Sequence, residues 1–336
     1  MAVKGQHRHS LMPPVVKLIT AKATGPLGEP VIAQWGLLGD EVTAVIEIAT
    51  ASGLTLVPTE ELNPLLTTTY GTGELILASL DSDCRKLIIG IGGSATNDGG
   101  AGMAQALGVQ LLDSGGRAIP FGGAALTKLE QIDISRLDPR LVACEILLAC
   151  DVDNPLCGIQ GASAVYGPQK GGSPEMVTRL DAALSHYADV IRRDMDIDAR
   201  DNPGAGAAGG LGMRLMVFLQ ADVIPGIDII IQSTGLVEEL KDADLVFTAE
   251  GRIDSQTAYG KAPTGVAQEA KEFGLPVIAL ASEVVDDYQA IYQQGIDAVF
   301  SIAPGPISLG QSMAQAEQLI ANTAENTMRL FSYQPK

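Results

Sequence analysis

One glycine-rich segment has the composition expected of an anion-binding loop. The apolar run Leu87–Ile89 leads into residues 90–102, which contain six glycines. A helix-like pattern follows this segment. Glycines adopt positive φ and let backbone N–H groups turn towards a ligand, and a helix N-terminus adds partial positive charge. The residues that would contact an anion, or a metal in the case of Asp98, are Gly92, Gly93, Ser94, Asn97 and Asp98. The alternative is a tight strand–helix connection in which Asp98 caps the helix.

An acidic residue follows a second apolar run. Residues 146–150 predict a buried strand, and Asp151 comes directly after it. Open α/β sheets hold ligands at the carboxyl ends of strands, and Mg²⁺ is bound by one or two carboxylates together with phosphate oxygens. Asp151 is therefore a candidate catalytic residue and Mg²⁺ ligand, although taken alone it is better explained by an Asx-turn before Pro155.

Two further segments contain glycines beside residues that suit phosphate groups. Lys170 lies in the sequence YGPQKGG, residues 166–172, where its ammonium group would neutralise a phosphate; a lysine on a surface turn is the alternative. Residues 202–212 contain five glycines and lead into a helix of small residues. There, Gly206 and Gly209 allow the close approach of either a nucleotide or a neighbouring helix.

Charged residues cluster after a strand in the last third of the chain. Residues 245–248 predict this strand, and a glutamate, an arginine, an aspartate and then a lysine follow it. Arginine binds a carboxylate or phosphate with two donors, and an aspartate accepts a proton from an attacking hydroxyl. The candidates are Glu250, Arg252, Asp254 and Lys261. The alternative is an exposed ion pair between Glu250 and Arg252.

The elements that must position these residues alternate between strand and helix. Three strand-like segments between residues 16 and 48 predict a β-meander. Helical spacing of apolar residues predicts helices over 68–80, 101–107, 174–194 and 207–219, and a short strand over 86–90. In the last third, strands at 245–248, 276–281 and 298–302 alternate with helices at 263–273, 287–294 and 313–331. This alternation predicts an α/β fold with a parallel, Rossmann-like sheet.

Composition and charge narrow the classes of function. A chain of 336 residues favours two domains, and its net charge of −18 would repel nucleic acid and anionic membranes. No apolar run reaches the roughly 18 residues of a membrane helix. The four cysteines lack a zinc-binding spacing and suit free thiols in a reducing cytoplasm. We therefore expect a cytoplasmic protein with neither a nucleic-acid nor a membrane partner.

Taken together, the motifs resemble the first family of glycerate kinases. The longer strings, in order, are GIGGSATNDGGAGMAQALG, ACDVDNPL, YGPQKG, NPGAGAAGGLG, EGRIDSQT and GKAPTGVA. Shorter strings agree as well, namely TGPLGEPV, TAVIEIATASGL, YGTGELI and IDAVFSI. The resemblance runs from about residue 24 to the C-terminus. Several motifs in a fixed order are far more specific than a single glycine loop.

This resemblance implies ATP- and Mg²⁺-dependent phosphorylation of D-glycerate to 2-phosphoglycerate, or to 3-phosphoglycerate. It implies catalysis by positioning and by charge stabilisation, as in other phosphoryl transfers. Gly92, Gly93, Ser94 and Asn97 would hold phosphate or substrate. Asp151 or Asp254 would orient the attacking hydroxyl or bind Mg²⁺, and Arg252 or Lys261 would bind the glycerate carboxylate or a phosphate.

The resemblance also implies two α/β domains. Residues 17–237 would form an inserted α/β domain with the glycine-rich loops, and 238–336 the remainder of a Rossmann-like domain. The family's opening segments, similar to IAPDSFKESLSA and VPVADGGEGT, have no counterpart here. Residues 1–16 are instead expected to be a disordered tail. Back-translated with free codon choice and shifted in frame, residues 2–16 can be read as a family-like segment, which suggests the hypothesis of a frameshifted or misannotated start. A truncated or frameshifted start predicts a sheet without its N-terminal strands and an impaired kinase.

Two other functions fit parts of the sequence. Glycine loops in an α/β pattern also suit an NAD-dependent oxidoreductase, but the G-x-G-x-x-G motif with a correctly spaced acidic residue is missing. A non-catalytic remnant of a kinase is the second alternative. Protection against thermal unfolding by ATP–Mg²⁺, by NAD or by neither distinguishes the three. A homodimer is the predicted assembly.

Overall fold

The computed structural model describes residues 2–4, 7–9, 17–258 and 262–333. The chain divides into two compact units. The larger comprises residues 14–226, and the smaller comprises residues 227–336 together with the N-terminal strands. Both combine a sheet with helices, which confirms the predicted α/β class.

The secondary structure consists of thirteen strands and eleven α-helices within the described residues. The strands are β1 (Ala2–Lys4), β2 (His7–His9), β3 (Lys17–Thr24), β4 (Pro30–Leu37), β5 (Thr43–Glu47), β6 (Lys86–Gly90), β7 (Gln110–Leu112), β8 (Gln131–Asp133), β9 (Glu145–Ala149), β10 (Asp222–Ile224), β11 (Leu245–Ile253), β12 (Val277–Val284) and β13 (Ala298–Ser301). The helices are α1 (Ala49–Ser52), α2 (Tyr70–Asp81), α3 (Ala101–Ala106), α4 (Ala162–Tyr166), α5 (Pro174–Met195), α6 (Ala207–Leu219), α7 (Gly226–Thr234), α8 (Leu236–Leu240), α9 (Ala262–Glu272), α10 (Leu309–Ala314) and α11 (Ala316–Phe331).

The larger unit is built on a six-stranded sheet in the order β10-β9-β6-β5-β4-β3. Strands β5, β6, β9 and β10 are parallel, whereas β3, β4 and β5 form the predicted antiparallel meander. Ile46, Ile89 and Leu148 occupy one row of the register and are fully buried. Burial of each such side chain contributes about 1.5–3 kcal/mol. The carboxyl ends of these parallel strands therefore emerge together from a well-packed core.

The smaller unit has a five-stranded sheet in the order β13-β12-β11-β1-β2. Strands β11, β12 and β13 are parallel, and β1 pairs antiparallel with β11 through Ala2–Val246 and Val3–Leu245. The sequence predicted a disordered tail over residues 1–16, but β1 and β2 lie within it. The physical reason is that an uncovered strand edge presents unpaired N–H and C=O groups, and an extended segment can pair with them.

Several boundaries differ from the sequence-based expectations. β6 is confirmed over 86–90, but β11 continues past Thr248 to Ile253 because it keeps pairing with β12 as far as Val284. The closing helix is divided into α10 and α11 at Gln315. The boundary between the two units falls between residues 226 and 227, whereas the sequence predicts it between residues 237 and 238.

Among the helices that the structure describes, none is long and apolar enough to cross a membrane.

Candidate functional site

A cavity of about 280 Å³ opens at the carboxyl ends of β6 and β9 in the larger unit. Five residues singled out in the sequence line it, although they come from three separate segments. They are Gly92, Gly93, Ser94, Asp151 and Lys170. Ligands of open α/β sheets bind at this edge, so the cavity is the candidate active site of the unit.

The first wall of the cavity is the tip of the glycine loop. Gly92 and Gly93 are exposed, and Gly93 has φ +70°, a conformation that favours glycine. The Gly93 carbonyl accepts a hydrogen bond from the Leu54 amide at 2.8 Å, which fixes the tip against the neighbouring connection. Ser94 follows and is buried. The tip therefore presents a fixed, side-chain-poor backbone to the cavity.

Lys170 supplies a positive charge beneath this tip. Its side chain is only 1% exposed, and its ammonium group donates to Ser94 Oγ at 2.9 Å and to the Thr96 carbonyl at 2.6 Å. Burial lowers the pKa of Lys170 to about 7, and the negative charge of Asp98 opposes that effect. An ammonium group has three donors, and these contacts use two. The surface-turn alternative for Lys170 is wrong, because the 3₁₀ turn Pro168–Lys170 directs the side chain inward.

Asp98 lies beneath the loop and does not line the cavity. The carboxylate is fully buried and accepts hydrogen bonds from the Thr69 amide and hydroxyl, both at 2.9 Å, and from the amides of Gly100 and Gly102, both at 3.1 Å. Burial raises the pKa of Asp98, and the hydrogen bonds oppose that shift. The N-cap residue of α3 is Gly100 and not Asp98, but the Asp98 carboxylate accepts a hydrogen bond from the Gly102 amide in the first turn of that helix. The first amides of α3 are consequently occupied and cannot bind an anion.

Asn97 is also buried next to the loop. Its Nδ2 donates to Ser163 Oγ at 2.9 Å, while its Oδ1 is buried without a partner among the described residues. Asn97 is not among the residues that line the cavity. Its amide therefore links the loop to α4, and a direct contact with phosphate stays a prediction.

The glycine segment over residues 202–212 contacts both the glycine loop that contains Gly99 and the connection after β9 that contains Asn154. The Gly206 amide donates to the Asn154 carbonyl at 2.9 Å, and the Gly209 carbonyl accepts from the Gly99 amide at 3.0 Å. Gly209 has φ +71°, and a Cβ there would stand 2.1 Å from the Thr96 carbonyl. The structure supports the close-packing interpretation, and Ala207 and Ala208, which the sequence did not single out, line the cavity instead.

Asp151 forms the acidic side of the cavity. Its carboxylate is exposed, and its Oδ1 accepts a hydrogen bond from the Gly226 amide at 2.8 Å. The described residues contain no group of three or more histidine, cysteine, aspartate or glutamate side chains placed to hold a metal. Mg²⁺ does not need such a cage, because it keeps several waters and takes one or two carboxylates plus phosphate oxygens. Asp151 therefore fits Mg²⁺ that arrives with a phosphate ligand.

The remaining predicted residues belong to the smaller unit. Glu250 and Arg252 lie in β11, and Asp254 follows it. Arg252 pairs with Asp254 Oδ2 at 3.3 Å and with Glu283 Oε2 at 3.6 Å. The carboxylate of Asp254 also accepts from the Thr257 amide at 3.2 Å. These contacts tie the end of β11 to the next turn and to β12. Lys261 lies outside the described residues.

Sequence reasoning missed a buried arginine behind the loops. Arg214 is fully buried, with its guanidinium carbon 3.8 Å from the ring centre of Tyr187 and 4.0 Å from that of Phe218. Its Nε donates to the Gly99 carbonyl at 3.4 Å. Burial lowers the pKa of Arg214 well below its ordinary value, and the charge of Asp98 opposes that shift. The available signal was a single charged residue within the apolar helix α6.

The chain is similar in sequence and in structure to known proteins. The family model "Glycerate kinase family" matches residues 11–332. The glycerate kinase of Bacillus subtilis is 54% identical over 310 residues, which is 92% of this chain and 81% of the relative. The glycerate 2-kinase of Escherichia coli is 52% identical over 325 residues, which is 97% of this chain and 82% of the relative. A crystal structure from Salmonella typhimurium LT2, provisionally assigned to glycerate kinase 2, aligns with a TM-score of 0.85 and 49% identity over 94% of this chain and 82% of that one.

Proposed function

Because the chain belongs to the glycerate kinase family, we propose that it transfers the γ-phosphoryl group of ATP to the 2-hydroxyl of D-glycerate. The products are 2-phosphoglycerate and ADP. The choice of the 2-hydroxyl is supported by the similarity to a relative that is named glycerate 2-kinase. In this reaction the hydroxyl O–H bond breaks and its proton passes to a carboxylate or to water, a new O–P bond forms, and the P–O bond between the β- and γ-phosphates breaks so that ADP leaves.

The observation that carries the proposal is the buried ammonium group of Lys170, which contacts Ser94 and lines the same cavity as the exposed residues Gly92 and Gly93. The chain has a net charge of −18, so an anionic substrate requires a local positive site. Fixed donors in a partly dry cavity stabilise developing charge without reorganising. This arrangement suits the glycerate carboxylate or the transferring phosphoryl group.

Asp151 has a separate role at the other side of the cavity. Its exposed carboxylate orients the attacking hydroxyl or holds Mg²⁺. When bound, Mg²⁺ neutralises charge on the phosphate oxygens. In the smaller unit, we propose that Arg252 or Lys261 binds a carboxylate or phosphate, and that Asp254 is the second acidic residue. Glu250, Gly206, Gly209, Asn97 and Asp98 then contribute through the positions of their loops and strands.

A coupled assay tests the function and its regiochemistry. With D-glycerate and ATP–Mg²⁺, enolase alone should convert the product to phosphoenolpyruvate, because enolase accepts 2-phosphoglycerate. A requirement for added phosphoglycerate mutase would instead show that the 3-hydroxyl is phosphorylated. Absence of D-glycerate-dependent ADP formation would contradict the kinase proposal, and thermal protection by neither ATP–Mg²⁺ nor NAD would favour the non-catalytic remnant.

Asp151→Asn should lower kcat by about 10–100-fold, the effect of losing a hydrogen bond to a charged group. The asparagine Oδ1 still accepts from the Gly226 amide, so the fold is retained. The Mg²⁺ concentration that gives half-maximal rate should rise as well. Asp153→Asn removes an equally exposed charge two residues away and is the matched control. Equal kinetics for the two variants would remove Asp151 from the mechanism.

The location of the protein is also a proposal. Cys84, Cys144, Cys150 and Cys157 are all free thiols. Free thiols are typical of a reducing compartment. We therefore propose that the enzyme lies in the cytoplasm. The homodimer expected from the sequence stays a prediction.

A further inference from the structure

Glu47 lies in the string TAVIEIATASGL, where no role was assigned to it, and it is not among the residues that line the cavity. It is the last residue of β5, and the register pairs it with Gly90 of β6, which in turn pairs with Ala149 of β9. Paired residues in a sheet project to the same face. Glu47 therefore shares a face with Ala149, which lines the cavity. The preceding row, Ile46–Ile89–Leu148, faces the core on the opposite side.

The carboxylate of Glu47 lies directly over Gly90. A Cβ at Gly90 would come within 2.5 Å of Glu47 Oε1 and 2.6 Å of Oε2. Gly90 is not among the glycines with positive φ, so its backbone conformation does not explain the absence of a side chain. The glycine instead leaves the space that the carboxylate occupies. This places two acceptor atoms flat on the sheet at its carboxyl edge.

The contacts of Glu47 leave its carboxylate oxygens available for a ligand. The side chain is exposed to solvent, yet nearby atoms displace enough water to raise the pKa of the carboxyl group. Burial is the cause of that shift, and among the residues that the structure describes no hydrogen bond or neighbouring charge contributes to it. A donor on a ligand bound at this edge can therefore replace the water that the partly desolvated oxygens have lost.

The chemistry of a carboxylate decides which part of the substrate it can bind. It accepts hydrogen bonds and repels other anions. The glycerate carboxylate and the phosphoryl group therefore belong near Lys170 and the glycine tip, and a hydroxyl belongs near Glu47. Gly92 follows Gly90 by two residues, so their backbones are at most about 7 Å apart, which is comparable to the length of a three-carbon acid.

We propose that Glu47 binds the hydroxyl of glycerate that is not phosphorylated, and so selects dihydroxy acids over monohydroxy acids. This inference rests on the proposed function. The ligand hydroxyl donates to Glu47 Oε1 or Oε2 over the face of Gly90. Glu47 is thus a specificity-determining residue, and it exchanges no proton during phosphoryl transfer.

D-Lactate is the probe, because it has the carboxylate and the 2-hydroxyl of D-glycerate but lacks the 3-hydroxyl. Glu47→Leu should raise the KM of D-glycerate by about 10–100-fold, the loss expected for one hydrogen bond to a charged group. The inhibition constant of D-lactate against D-glycerate should stay within about twofold. Glu47→Gln keeps an acceptor and should give an intermediate KM.

Glu145→Leu is the matched control for the same loss of charge. Glu145 lies on β9, on the same face as Ala149, but at the amino end, where it pairs with Lys86 at 2.9 Å. Glu145→Leu should change neither the KM of D-glycerate nor the inhibition constant of D-lactate. A purely structural role for Glu47 would weaken D-glycerate and D-lactate equally and would overturn the inference, as would unchanged constants for both. Failure of the unmodified chain to phosphorylate D-glycerate would instead contradict the proposed function.

Discussion

Replacing Lys170 with methionine should lower kcat/KM for D-glycerate phosphorylation by about 10²–10³-fold. A fixed donor in a site of developing charge is worth this much when it is removed. Methionine has a similar length and an apolar end, so it fills the buried space without the ammonium group that contacts Ser94 and Thr96. ADP formation at varied D-glycerate concentrations measures the effect.

The control for this prediction is Lys128→Met, which removes an exposed lysine from the same unit. Its kcat/KM should equal that of the unmodified chain. If Lys170→Met retained full activity while remaining folded, the ammonium group would have no part in substrate binding or catalysis.

The lowered pKa of Lys170 also predicts how pH acts. An anion binds the protonated amine, so D-glycerate affinity should fall as pH rises above about 7, by up to about tenfold per pH unit. Stability should move the other way. Between about pH 7 and 10.5 the unfolded chain binds more protons at this residue than the native state, so its contribution to the free energy of unfolding rises with pH. In Lys170→Met, the part of each pH dependence that Lys170 contributes should be lost.

Asp98→Asn should lower the free energy of unfolding by about 3–5 kcal/mol, the range for breaking a buried charged network. An asparagine NH₂ group cannot accept the hydrogen bonds that Asp98 Oδ2 takes from the Thr69 and Gly102 amides. The substitution also removes the negative charge that opposes the pKa shifts of Lys170 and Arg214. Urea denaturation followed by circular dichroism measures the change.

Asp83→Asn gives the corresponding value for a surface aspartate. The Asp83 side chain is 92% exposed, so its replacement should change stability by less than about 0.5 kcal/mol. Similar unfolding midpoints for Asp98→Asn and Asp83→Asn would show that the buried Asp98 carboxylate does not hold the loops together.

The strands that carry the cavity were predictable because their signals are local. The buried run at β6 is bounded by polar residues and glycines, and Asp151 follows the apolar run of β9 directly. The hairpin of β7 and β8 was missed, since each strand has only three residues and a long connection separates them. The polar end of β11 was missed because its pairing with β12, and not its own composition, extends the strand.

The charges around the loop could be located only in part. The burial of Lys170 depends on contacts with residues 74 and 76 positions away, and Arg214 meets Gly99 across 115 positions. Spacing along the chain carries no information about such contacts. Glu47 was overlooked because an isolated glutamate at a strand end has no local pattern, and its space is created by a glycine on the neighbouring strand.

The most direct test of the central claim is a crystal structure of the protein with D-glycerate, Mg²⁺ and a non-hydrolysable ATP analogue. We expect a carboxylate or phosphate oxygen within about 3 Å of the backbone amides at Gly92–Ser94 and of the Lys170 ammonium group, with Asp151 facing the same ligands. Ligands bound elsewhere, with this cavity empty, would contradict it.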